Sequence, residues 1–219
     1  MAPGGRCQHE VVTTRERETP VKPAAGANPA GNQRLTAMTG AVLLVLFVAE
    51  CLTIFSLQRL LTLHVFLGML LLGPVGLKIG STLWRFTRYY TGSAAYVRRG
   101  PPAPLQRVTG PFVVLTTLAV FLTGIMLVVE GQNPGGWRWI PLHRLSFLAW
   151  AVVMLVHLGS YLPKLPGLLA GRAEQTRRVL AARPTRWLLL CGSLAAGLGL
   201  ALATYHLAAP WGGSGSLIP

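Results

Sequence analysis

The chain has 219 residues, of which 52% are hydrophobic and only 12% are charged. That balance is poor material for a water-soluble domain and suits several membrane spans. The formal net charge of +14 does not argue for nucleic acid, because the basic residues lie in loops between apolar stretches and form no single stripe.

Residues Met1–Arg34 mix Gly, Pro, Ala and charges without period, and read as a disordered tail too polar for a signal peptide. Five apolar stretches follow. The first, Leu35–Leu57, holds one acid, Glu50, and Gln58–Thr62 reads as a tight turn. The second, Leu63–Leu83, is interrupted by Pro74 and carries Lys78; both breaks are tolerable in a bundle whose neighbours satisfy the freed groups. Trp84, Arg85, Tyr89 and Tyr90 then mark a membrane interface, where amphipathic rings and long cations settle.

A loop through Arg98, Arg99 and Pro101–Pro102 leads to the third stretch, Gly110–Val129. Glu130–Pro141 reads as a short turn, Leu142–Leu162 as the fourth span and Lys164–Arg186 as a basic loop. Trp187–Ala208 is the fifth span, with small-residue pairs Gly192/Ala196 and Ser193/Gly197 suited to close helix packing. The expected fold is therefore an all-α membrane protein. A cytoplasmic tail (1–34) precedes five transmembrane helices (35–208) and an external tail (209–219).

Orientation follows from counting. The first tail, second loop and fourth loop carry five, five and six Lys/Arg, against Arg59, Arg138 and Arg144 on the other side. The positive-inside rule then predicts a multi-pass cell-membrane protein with its amino terminus in the cytoplasm and its carboxyl terminus outside.

The fourth span carries His143 and His157, fourteen residues apart. Fourteen steps of about 100° return to the same helix face, and the rise of about 1.5 Å per residue separates the rings by ~21 Å. That spacing suits two haems stacked across a hydrocarbon core ~30 Å thick, each iron taking one imidazole. Spans two and four run in the same direction, and His64 opens one at the depth where His143 opens the other. A haem between them can take both imidazoles, with Gly68 one turn below His64 leaving room for a porphyrin edge.

Opposite His157 the same spacing puts Lys78, for which three roles are open: snorkelling to the headgroups, pairing with a haem propionate, or ligating iron as a neutral amine. On span three, Gly110 and Gly124 are also fourteen apart, at about the two histidine depths, where a flat macrocycle can press on a helix; small-residue packing explains either glycine alone. His206 reads as a helix–helix hydrogen-bonder, and Trp150 and Met154 as packing. Glu50 reads as a protonated carboxyl bonded to a neighbour or as a proton or quinol contact. Cys7, Cys51 and Cys191 form no CxxC or CxxCH pattern, so a haem would be held non-covalently.

Paired ligands fourteen apart on parallel spans two and four, with facing glycines on span three, resemble the di-haem cytochrome b superfamily. That superfamily includes the cytochrome b of quinol-oxidising bc complexes and the membrane cytochrome subunits of formate dehydrogenases and hydrogenases. The resemblance covers His64 to about Leu162. It implies a four-helix cytochrome b-like core, with His64 and His143 as ligands of an outer haem b and His157 as a ligand of an inner one. The family's fourth ligand falls at Lys78, where the pattern is departed from. It also implies electron transfer between the quinone pool and a redox partner protein, as a membrane subunit of an oxidoreductase or as a free-standing carrier. Two other readings remain. One is a cofactor-free scaffold or small transporter, in which Glu50 and Lys78 form a buried ion pair or proton path. The other is a one-haem sensor or assembly factor.

Overall fold

A computed structural model describes residues 29–98, 100, 104–131, 134–160 and 184–212. The elements, in order, are α1 (Pro29–Ile54), α2 (Leu57–Tyr90), a single turn α3 (Ala94–Val97), α4 (Pro104–Glu130), α5 (Pro134–Gly159) and α6 (Pro184–Thr204). A 3-10 turn (Tyr205–Ala208) and a short α7 (Ala209–Gly212) complete the described chain. Among the described residues there is no strand. Helices α1, α2, α4 and α5, and α6 with its 3-10 turn, are long and apolar enough to cross a membrane.

Local signals explain the boundaries. Four of the five long helices begin on a proline (Pro29, Pro104, Pro134 and Pro184), whose fixed φ suits the first helical position and whose missing N–H costs nothing there. Gly92 and Gly131 follow the ends of α2 and α4 with φ of +76° and +60°, the left-handed conformation that closes a helix.

The turn between the first two spans is Phe55–Ser56, and Gln58–Thr62 belong to α2. No Gly or Pro interrupts that polar run, so nothing there stops a helix. Helices α4 and α5 likewise start six or more residues ahead of the apolar stretches they contain, each on its proline. Pro29–Arg34, expected in the tail, are the first turns of α1, where Asn32 Nδ2 donates to the Ser81 carbonyl at 2.9 Å. The rest of the expected tail, Pro101–Pro102 and most of the basic fourth loop lie outside the described residues.

The polarity of the surface is inverted relative to a water-soluble protein. Large apolar side chains are exposed along every long helix, including Val45 (69%) and Leu155 (71%), while Thr39, Thr53, Ser81, Thr109, Thr117 and Thr123 are buried. Apolar surface on that scale is stable only against lipid. The hydroxyls inside the bundle satisfy themselves on helix carbonyls, as Thr39 does on Leu35 and Thr109 on Leu105, both at 2.9 Å.

The helices form two groups. Helix α2 packs along α1 on one side and α6 on the other, and α4 and α5 form an antiparallel pair. The α2–α6 crossing is tight. A Cβ added at Gly73 or Gly197 would collide with the carbonyl of Ser193 or Leu70 respectively. The Ser193/Gly197 face therefore meets α2, whereas Gly192 and Ala196 are exposed. Leu43, Leu71 and Val75 form a buried cluster with Phe47, Ile79 and Phe121 around it, which joins α4 to the α1–α2 group. Helices α2 and α5 stand apart, and the space between them positions the site.

Candidate functional site

A cavity of about 450 Å³ lies between the two helix groups. That is within the range of about 300–1,000 Å³ typical of cofactor pockets. Its walls come from α1, α2, α4 and α5, with Trp211 of α7 at one side, and are mostly apolar. The expected external tail thus contributes a ring to the cavity. The polar groups reaching it include Glu50, His64, His143 and Arg144. Trp150 is buried at one wall: its Nε1 donates to Thr117 Oγ1 on α4 at 3.1 Å, and its ring lies 5.0 Å from Phe47 of α1. It packs the helices together, as its position in the sequence suggested.

His64 of α2 and His143 of α5 meet across this space, with ring centroids 6.4 Å apart and planes nearly perpendicular. Each ring is held at Nδ1. His143 Nδ1 is 3.0 Å from Thr123 Oγ1 of α4, and His64 Nδ1 is 2.8 Å from Thr53 Oγ1 of α1. The hydroxyl protons are directed elsewhere, Thr53 donating to the Glu50 carbonyl at 2.5 Å and Thr123 to the Ala119 carbonyl at 2.8 Å. With the hydroxyl protons so directed, each hydroxyl oxygen is placed to accept from an imidazole protonated on Nδ1. The Nε2 lone pairs remain, which is the form in which histidine binds a metal.

His157 repeats the arrangement. Its Nδ1 is 3.0 Å from Thr109 Oγ1, whose proton goes to the Leu105 carbonyl. Thr123–His143, Thr117–Trp150 and Thr109–His157 are thus three rungs joining α4 to α5 in one antiparallel register.

The glycines differ from one another. Gly124 sits behind His143, where an added Cβ would lie 3.1 Å from Cε1, while Gly110 faces open space. Gly68 makes room for Glu50, whose Oε1 would be 3.4 Å from an added Cβ, and Gly68 also lines the cavity. His206 is exposed beside Tyr205 and does not line the cavity.

Lys78 does not pair with Glu50. Its Nζ donates to the Thr36 carbonyl of α1 at 2.7 Å, close over Gly40, a satisfaction by helix backbone that none of its three expected roles included. Glu50 turns instead to His64, with Oε1 3.1 Å from Nδ1, so the ion pair weighed from the sequence is not formed. The sequence reading also missed the threonines. Their signal was present: Thr109 and Thr123 each precede one of the two glycines spaced fourteen apart.

Two imidazoles sharing one metal need about 2.0 Å for each metal–nitrogen bond and roughly 1.1 Å from each nitrogen to its ring centre, about 6.2 Å in all. The ring centroids, 6.4 Å apart, are at about that separation. Among the described residues no group of three or more His, Cys, Asp or Glu side chains is placed to hold a metal ion. Arg144, beside His143 at the cavity wall, is a cation suited to a carboxylate substituent of a porphyrin ring. No family model, curated protein or solved structure matches the chain.

Proposed function

We propose that the protein is a membrane haem protein in which His64 and His143 together hold one haem b, and that it passes electrons between the quinone pool and a redox partner. The observation that carries this reading is the pair of imidazoles 6.4 Å apart on a cavity of about 450 Å³, each with its Nδ1 proton already committed. A haem held by His64 and His143 would supply a one-electron couple.

The chain's own residues do the rest. The α4–α5 ladder fixes the His143 ring, the Glu50–Thr53 turn of α1 fixes that of His64, and Arg144 offers a counter-charge at the rim. The apolar walls keep water from the site. In this reading α1, α2, α4 and α5 are the cytochrome b-like core, and α6 packs on α2. The distribution of Lys and Arg supports a cytoplasmic amino terminus, which puts the His64 end toward the outside.

The test is the reduced-minus-oxidised absorption spectrum of the purified full-length protein. The expected result is a low-spin b-type spectrum at about one haem per chain. A protein without such bands would overturn the reading and leave a cofactor-free scaffold or transporter.

A further inference from the structure

Three histidines in the bundle have a threonine hydroxyl on Nδ1, and at His64 an acid stands there as well. Glu50 is an intramembrane carboxyl with a side chain only 16% exposed. Its Oε1 lies 3.1 Å from His64 Nδ1, while its Oε2 is buried without a hydrogen-bond partner. An acid at that depth is costly and calls for a reason. Fixing the tautomer is not that reason, since Thr53 does so for His64 as Thr123 does for His143. The fold nevertheless makes a place for the carboxyl. Gly68, one turn along α2 from His64, leaves the space that Oε1 occupies, and Thr53, three residues on from Glu50, presents the second acceptor to the same nitrogen.

We infer that Glu50 is a positioning residue that sets the donor strength of His64, and so makes the two axial ligands of the proposed haem inequivalent. This rests on the haem reading above. An acidic acceptor drawing on the Nδ1 proton makes Nε2 more basic. A more basic axial ligand favours the oxidised metal and lowers the reduction potential. His143 has a threonine hydroxyl at Nδ1 and, among the described residues, no carboxyl beside it there, so the two ligands differ in this partner. The acid thereby tunes the redox couple while staying outside the ligand set.

The experiment is an equilibrium redox titration of the purified, haem-loaded full chain, comparing wild type with Glu50→Gln and Thr53→Val. Glu50→Gln is expected to shift the midpoint potential of the haem it binds upward; Thr53→Val, which leaves the acid beside Nδ1, is expected not to raise it. An unchanged potential in Glu50→Gln, or an equal rise in both variants, overturns the inference while leaving the haem reading intact. Glu50→Asp guards against a Gln variant that does not accumulate: the shorter side chain withdraws from Nδ1 and is expected to raise the potential as well, and an unchanged value counts against the inference. A wild-type protein with no b-type spectrum overturns the haem reading, and this inference with it.

Discussion

The two ends of the bundle start from the same sequence pattern and finish differently. His143 and His157 are fourteen residues apart on α5, and His64 and Lys78 are fourteen apart on α2. At the first end the α2 side chain reaches across the cavity toward α5 and brings two rings within 6.4 Å. At the second end the α2 side chain donates to an α1 carbonyl, and His157 is tied to α4. Asn32 and Thr36 also bond Ser81 near there, so α1 and α2 are laced together by polar groups at this end. Helical periodicity decides which face a residue occupies. What a side chain can reach from that face decides its partner, and a lysine with a carbonyl of α1 in range has a partner already.

The largest effects separate the ends directly. His64→Ala or His143→Ala is expected to remove most of the low-spin haem spectrum, an affinity loss beyond the 10–100-fold or so typical of changing only a ligand's supporting partner. His157→Ala and His206→Ala are expected to leave that spectrum in place. Haem content per chain after purification checks all four. Loss of the haem in His206→Ala with retention in His64→Ala would dissolve the comparison.

Next are the supporting threonines. Thr123→Val removes the hydroxyl that holds His143 Nδ1, and is expected to weaken haem binding about 10–100-fold in a titration of the apoprotein. Thr109→Val removes the hydroxyl beside the corresponding nitrogen of His157. It is expected to lower the unfolding temperature in detergent and to leave the haem titration unchanged.

These threonines mark the limit of what the sequence discloses. The five spans and the two histidines that meet are legible, because each follows from hydropathy or from a repeat along one helix; of the small residues of α6, Gly197 packs on α2 while Gly192 and Ala196 are exposed. The lacing between helices is not legible in this way. Thr53 and Glu50 converge on one nitrogen only because α1 returns beside α2 after a two-residue turn, and that turn was expected some residues later. Likewise Lys78 finds Thr36 through the packing of α1 on α2, a relation between helices that no single-helix period contains.

A smaller effect is expected at the glycines, which the sequence treats as equivalent. Gly124→Ala puts a methyl 3.1 Å from His143 Cε1, so the ring must yield by a few tenths of an ångström. A modest change in the low-spin spectrum and a few-fold loss in haem affinity are expected, in line with supporting effects of about tenfold or less. Gly110→Ala adds its methyl to open space and is expected to be silent in both measurements. Equal responses from the two variants would mean that the histidine ends are not distinguished by how α4 backs them.

The smallest expected signal, and the sharpest test of the comparison, is Lys78→His. The lysine amine reaches the Thr36 carbonyl at 2.7 Å, a bond that an imidazole on a shorter stem does not make. The substitution therefore gives up a charged hydrogen bond worth about 1.5–3 kcal/mol, and a lower unfolding temperature is expected. Lys78→Gln is the control for that loss alone. What the imidazole adds is a second nitrogen ligand on α2, fourteen residues from His64, as His157 stands fourteen from His143. His157 stands at that end with Thr109 Oγ1 3.0 Å from its Nδ1. A minor second low-spin component is then expected in Lys78→His and not in Lys78→Gln, read by low-temperature absorption and by haem content rising above one per chain. If Lys78→His and Lys78→Gln give superimposable spectra, the second end is not a haem site awaiting one ligand. The difference between the ends then lies in how α1 and α4 hold α2 and α5 there, and not in the residue at position 78.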